Sequence, residues 1–269
     1  MLEYWYLFPT GVLVAVVATS SSIGGSMFWM PIYLMVMGLD ARVAFWMSLL
    51  TMLFGFGSGV WRNVRADTID WTLTRAYLWV AAPAAALGAA LSTRVPEAGL
   101  LLGFAAFGFG LGTYMLFDQW RMVRRSGRLD PDRVEPARQH ERIYRGVGFL
   151  AGLLQGAVAA STSTMLLPCL LGHRRIKHHA TAVGSTVVVV FVLSMLAVTF
   201  RIDHALWDVL VRERTPILGM LAFAGPGVIL GGQLGPRLAQ RMPRRWLSLY
   251  VGLLLLGVGG LVVLNAFRT

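Results

Sequence analysis

Two stretches with the same unusual punctuation, 137 residues apart, limit what this chain can become. The first is Ala18-Thr-Ser-Ser-Ser-Ile-Gly-Gly-Ser26, followed by Pro31; the second is Gly156-Ala-Val-Ala-Ala-Ser-Thr-Ser-Thr164, followed by Pro168. Each small, hydroxyl-rich run interrupts an apolar segment that otherwise reads as one helix. Paired interruptions in the two halves of a hydrophobic chain point to a transporter's binding site.

The surrounding composition fits a bilayer. Apolar residues make up 56% of the 269 positions and charged residues only 14%, against about 25% in a soluble domain; mean hydropathy is +0.63. A single cysteine, Cys169, excludes an internal disulfide framework and any multi-cysteine metal site. Glu3 stands where a signal peptide would carry basic residues, so the first apolar stretch is not expected to be cleaved. The net charge of +11 is confined to segments between apolar stretches. That placement argues for membrane topology and against nucleic acid.

Six segments read as full spans: roughly 43–61, 76–92, 98–118, 180–200, 215–234 and 246–266. Each is long enough to cross a hydrocarbon core of about 30 Å. Ahead of each set of three lies a broken segment, 6–37 or 147–171, whose return arm is too short to cross. The fold class expected is an all-α polytopic membrane protein of two inverted repeats. Each repeat is a re-entrant hairpin plus three spans, about eight helices if each hairpin counts as one. The domain reading is 1–120 for the first repeat, 121–146 for a basic linker and 147–269 for the second repeat.

Matching positions support the duplication: Gly11 with Gly148, Ile69-Asp70 with Ile202-Asp203, and Pro83 to Gly88 with Pro226 to Gly231. Three crossings per half turn the second half upside down. With the linker in the cytoplasm, the segments on that side hold eighteen basic residues and the opposite side six. The charge bias therefore expects both termini outside; the expected location is a bacterial-type inner membrane.

All thirteen acidic residues, the five histidines, Lys177 and the arginines fall in loops or at span ends. Intramembrane charge normally marks proton relays and ion sites, so a carboxylate-based cation site is not expected. What remains suits an anion. Ser21, Ser22 and Ser26 in one break, and Ser161, Thr162, Ser163 and Thr164 in the other, can donate hydroxyl hydrogen bonds. Gly24 and Gly25 can present bare N–H groups, and a half-helix starting after the turn adds its positive end. Such a site needs no fixed countercharge. Ser48 and Ser185, early in the next spans, could complete it.

Small residues also let helices pack closely, and Pro31 and Pro168 fit the first turn of each return helix. Gln155 faces either the cavity or a neighbouring helix. Asp70 and Asp203 are expected to cap the helices that follow them. The run from His173 to His179 reads as a topology-setting loop near lipid headgroups.

At Ile23-Gly-Gly-Ser26, Pro31 and Ala44-x-x-x-Ser48 the chain resembles the sulfite exporter TauE/SafE family, also called the toluene-sulfonate uptake permeases. The resemblance covers nearly the whole chain outside the linker. It departs at the second break, where Ala160-Ser-Thr-Ser-Thr164 replaces the family's usual glycines. The resemblance implies a permease for sulfite, an organosulfonate or a related small anion. An intramembrane hydrolase using one of the serines would need a nearby base, and no His, Lys, Asp or Glu lies at membrane depth. No enzyme activity, catalytic residue, cofactor or metal is therefore expected. The partners expected are that anion and the lipid bilayer; a homo-oligomer is compatible with the sequence, which fixes no number of copies. A passive anion channel, or a membrane scaffold that transports nothing, is the competing reading.

Overall fold

The computed structural model describes residues 2–20, 24–125, 141–160, 162–173, 175–176, 178–239 and 244–266. Within them the chain is helical and contains no strand. The first half holds α1 (Leu7–Ser20), α2 (Ser26–Pro31), α3 (Ala41–Arg65), α4 (Trp71–Ser92) and α5 (Glu97–Arg125). The second holds α6 (Glu141–Val158), α7 (Ser163–Leu171), α8 (His179–Phe200), α9 (His204–Arg212), α10 (Arg214–Ala239) and α11 (Arg244–Ala266). Helices α5 and α6 extend into the stretch read as linker, as far as Arg125 and from Glu141.

Local chemistry sets several of these boundaries. The Leu73 N–H donates to Asp70 Oδ1 at 3.0 Å, and the Leu206 N–H to Asp203 Oδ1 at 2.8 Å. Each carboxylate thereby satisfies one of the orphan amides of a helix start. The matched aspartates do the same work in different settings, because Asp203 opens the extra helix α9 where a plain loop was expected. One face of α9 is apolar, with Leu206 buried and Val209 and Leu210 half-buried.

Four helical stretches are long and apolar enough to cross a membrane: Ala41–Arg65, Glu97–Phe117, His179–Phe200 and Arg214–Gly235. Helices α4 and α11, also expected as spans, form with 22 and 23 residues. Helix α4 is not among those four, since Thr72, Thr74 and Arg75 occupy its first turns. The chain is thus a polytopic membrane protein whose outward faces carry apolar side chains such as Leu13, Trp79, Leu87, Tyr114, Leu218 and Leu261.

The two broken segments are hairpins of short helices. Helix α1 has 14 residues, which is about 21 Å of rise and less than the hydrocarbon thickness. Helix α2 continues through a π-helical turn, Ile32–Val36. Pro31 is the sixth residue of α2 and Pro168 the sixth of α7. Both prolines therefore sit one turn further in than the expected first turn. Lacking an N–H, each leaves the carbonyl four residues earlier without its helical donor. In α2 the helix then widens into the π turn.

Glycine contacts give the direction of each packed pair. Gly227 lies against Phe8, Gly231 against Val12, and Gly235 against Val16 and Thr19, so α1 and α10 run parallel. Gly152 lies against Ala81 and Gly156 against Ala85, so α6 and α4 run parallel as well. By contrast Gly57 meets Phe191 and Gly59 meets Val187, making α3 and α8 antiparallel; Gly112 on Leu256 and Gly259 on Phe109 do the same for α5 and α11. The halves are therefore inverted and interleaved, each lending its hairpin arm to the other. A methyl group on Gly156, Gly227 or Gly231 would strike a carbonyl oxygen of the facing helix. Without a hydrophobic drive between helices in lipid, this backbone-to-backbone approach is what holds them.

Candidate functional site

A cavity of about 130 Å³ lies where the two breaks meet. Gly24 and Gly25 reach it from the first break and Ser163 from the second, with Thr19, Trp29, Phe56, Arg62, Leu167 and Thr186 also in its wall. Helix α3 contributes only residues from Met52 to Arg62, and α8 only those from Val183 to Val187. Because these helices are antiparallel, both stretches lie in the same half of the molecule. The other half is closed: Phe45, Met47 and Leu49 are fully buried, and the Trp46 indole N–H donates to the Val198 carbonyl at 3.1 Å. The cavity is thus a one-sided vestibule that ends at the two breaks.

The first break is open in chemistry as well as in shape. Gly25 O accepts from Phe28 N–H and Trp29 N–H, both at 3.0 Å, which starts α2 without any side-chain cap. Ser26 is fully buried, yet its hydroxyl has no hydrogen-bond partner among the described residues. A buried hydroxyl without a partner is costly. Trp29 stacks on Tyr33 with ring centroids 5.2 Å apart, and the Tyr33 hydroxyl is 2.7 Å from Thr51 Oγ1. That stack fixes the wall behind the glycines.

The second break is tied at several of its described residues. Helix α6 ends at Val158, and Ala159 takes a left-handed conformation with φ of 52°. Gln155 donates from Nε2 to Ser194 Oγ at 2.9 Å. Its Oε1 accepts from the Thr162 N–H at 3.3 Å and the Thr162 hydroxyl at 3.1 Å. Arg201 donates from Nε and Nη2 to Gly156 O at 3.2 and 3.1 Å, and from Nη2 also to Ala157 O. A broken helix leaves its last carbonyls without donors, and this guanidinium supplies them. Arg201 is 4% exposed and lies 5.2 Å from the Phe45 ring centroid.

The sequence-derived candidates fall into three groups. Gly24, Gly25 and Ser163 line the cavity. Ser48, Thr162 and Ser185 are buried in other bonds: the Ser48 hydroxyl donates to Phe45 O at 2.7 Å, Thr162 is held by Gln155, and Ser185 Oγ accepts from the Asp70 N–H at 3.0 Å. Thr164 is half-buried and Ser26 fully buried, and neither is among the cavity's lining residues. Ser21, Ser22 and Ser161 lie outside the described residues.

Sequence reasoning missed the two arginines. Arg62 was placed in a loop, but α3 runs on to Arg65, and Arg62 becomes part of the cavity wall. It is the one charged residue among the described lining residues. Arg201 was placed with the outer loops and is instead buried against the second break. The candidate cavity thus carries a fixed positive charge in its wall, which the sequence reading had not placed there. The available signal was position: both arginines directly adjoin an apolar span, where a long side chain can turn inward as easily as outward.

A model of the family described as Sulfite exporter TauE/SafE matches residues 7–262. Neither a curated protein nor a solved structure matches the chain.

Proposed function

We propose, from the premise that this chain belongs to the sulfite exporter TauE/SafE family, that it is a secondary transporter. Its cargo is a small sulfur-containing oxyanion, sulfite or an organosulfonate, held between the two breaks. One observation supports this reading above the others: a single cavity joins Gly24 and Gly25 to Ser163 and places Arg62 in its wall. Amides and hydroxyls can replace the water lost from an oxyanion, and a guanidinium supplies geometry that suits it. The wall is otherwise apolar, so these few donors act in a weakly screened environment. Arg201 adds positive charge behind the second break. Within this reading Ser21, Ser22, Ser26, Ser48, Ser161, Thr162, Thr164 and Ser185 stay as candidate or supporting positions, and Gly24, Gly25 and Ser163 as direct contacts.

The division into repeats at 1–120 and 147–269 around a cytoplasmic linker, 121–146, belongs to the same proposal. The eighteen-to-six bias of basic residues supports it, as do the antiparallel α3–α8 and α5–α11 pairs. Both termini then face outside, and the vestibule faces the cytoplasm, since α3 ends and α8 begins on that side. Cysteines placed near Met1 and at Arg133 are expected to label from opposite sides. Labelling from one side overturns the orientation.

Transport is tested in liposomes. Purified protein is expected to move sulfite or a small alkanesulfonate with saturation and with inhibition by competing oxyanions. Flux of a cation or neutral solute with none of the anions overturns the assignment. Flux that never saturates favours a passive channel, although the packed half around Phe45 and Trp46 argues for a carrier that must rearrange.

A further inference from the structure

Helices α3 and α8 line the vestibule with residues 52–62 and 183–187 and close against each other at their other end. Under the proposed orientation that packed end faces outside. Two contacts hold it. The Trp46 indole N–H donates to the Val198 carbonyl at 3.1 Å. One turn nearer the rim, Arg42, the second residue of α3, sets Nη1 3.5 Å from Asp203 Oδ2 and Nε 3.8 Å from Glu97 Oε1. Asp203 joins α8 to α9 in the second half, whereas Arg42 and Glu97 open α3 and α5 in the first. The arginine thus ties the two halves together at the rim.

Asp203 is positioned for this by its cap. Its Oδ1 accepts the Leu206 N–H at 2.8 Å, which holds the carboxylate and leaves Oδ2 for Arg42. A cavity of about 20 Å³ adjoins the cluster, with Arg42, Ser92 and Asp203 in its wall. It has room for about one water and is too small to pass an oxyanion. The side chains of Arg42, Asp203 and Glu97 are 36%, 30% and 47% exposed. Ion pairs at such exposure are weak, whereas parting a fully buried pair would leave uncompensated charge. A partly solvated cluster is therefore suited to being made and broken in every cycle.

The matching aspartate of the first half is paired differently. Asp70 Oδ2 lies 3.5 Å from Arg175 Nε, but Arg175 is in the loop ahead of α8. That pair holds a loop, and it stays closed beside the open vestibule. Arg42 is in the first turn of α3, so its pair with Asp203 restrains the helix itself.

We propose that Arg42, Asp203 and Glu97 form the latch of an outer gate, closed while the vestibule is open and parted when α3 and α8 separate at that end. A carrier that opens its site to one side at a time needs such an exchange as its halves rock about the site. The proposal rests on the reading of the protein as a carrier, and not on which anion it carries.

The test follows thiol labelling of the full-length protein in detergent, in a Cys169→Ala background. Thr186→Cys reports on the vestibule and Ser92→Cys on the packed end, where Ser92 is 4% exposed. Arg42→Gln, or Asp203→Asn, which keeps a capping oxygen, is expected to raise the labelling rate at position 92 about three- to fivefold, as for a weak ion cluster. The rate at position 186 is expected to fall in the same variants. Glu97→Gln is expected to do both to a smaller extent, and Arg42→Lys to keep most of the closed state. Arg175→Gln, which breaks only the loop pair, is expected to change neither rate. Only opposed changes at the two positions support the latch. Unchanged rates overturn it, and so does a rise at both, since the cluster would then be a brace whose loss loosens the fold. Labelling is blind to the cargo. Opposed rate changes without anion flux in liposomes would sink only the transport assignment, and saturable flux with unchanged rates only the latch.

Discussion

The two breaks occupy equivalent places in the inverted halves, and their described residues make different bonds. At the first, α2 starts after Gly25 without a side-chain cap, and the Ser26 hydroxyl is buried without a partner among the described residues. At the second, Gln155, Ser194, Thr162 and Arg201 lock the turn, and the glycines expected there are replaced by alanine and threonine. A sequence with glycines can leave its backbone donors for a ligand. A sequence without them must hold its strained turn, Ala159 included, with side chains. Under the proposed function, the first break offers backbone donors to the cargo, while the second presents Ser163 from a turn that its own side chains hold in shape.

Removing the lock breaks this contrast most severely. Arg201→Met leaves the Gly156 and Ala157 carbonyls without their donors, and each orphaned group costs about 1–3 kcal/mol. Thermal unfolding in detergent is expected to show a loss of several kcal/mol. Gly25→Ala, at the first break, is expected to be nearly neutral, because a methyl group there meets Trp29, Ala18 and Met52 only at 3.5–3.9 Å. Equal destabilisation by the two changes would erase the distinction.

Next in size is Arg62→Gln. The Arg62 side chain lines the vestibule, so its replacement is expected to raise the KM for the anion about 10- to 100-fold, as for a lost charge-assisted hydrogen bond of roughly 1.5–3 kcal/mol. The melting temperature is expected to stay near wild type, and Arg62→Lys to recover part of the affinity. An unchanged KM would move the cargo's contacts to the glycine turn alone.

Gln155→Leu sharpens the comparison from inside the second break. It removes the acceptor for two Thr162 donors and the donor to Ser194, and a loss of about 1–3 kcal/mol in stability is expected for the buried groups left behind. Transport per folded molecule is expected to fall less than in Arg62→Gln. The smallest effect is expected for Ser26→Ala. Deleting a hydroxyl that lacks a protein partner is expected to leave stability unchanged or slightly raised. Anion affinity falls only if that hydroxyl meets the cargo, by about 0.5–1.5 kcal/mol in a binding isotherm.

Much of the architecture was legible because the bilayer imposes simple rules. Span lengths, the paired breaks and the two aspartate caps follow from apolar run length, small-residue clusters and helix-start chemistry. Helix α9 was not, since nine residues with Arg212 and Asp208 on the polar side resemble a loop when only span-length runs are sought. Its signal was present in Leu206, Val209 and Leu210 at helical spacing after a cap. The site was less legible than the fold. Gly24, Gly25 and Ser163, chosen for their residue types, line the candidate cavity. Arg62 and Arg201 were not, because an arginine at a span end has the same sequence signature whether it snorkels to water or folds back onto a carbonyl. Ser48 and Ser185 show the converse: a buried hydroxyl in a helix readily bonds a nearby backbone group, and residue type alone does not say which.

The exchange of hairpin arms also sets a timetable for assembly. Helix α1 begins at Leu7, and α10, the helix it packs along, begins at Arg214. At a synthesis rate of about 5–20 residues per second, α1 waits roughly 10–40 s in the bilayer before its partner is made. During that interval its glycine-notched face, at Gly11, has only lipid or the insertion machinery to cover it. Helix α4 is spared most of that delay, since α6 follows it after one further span. Helix α1 therefore waits longer for the helix it packs along than α3, α4 or α5 does, although it is the first of them to be made.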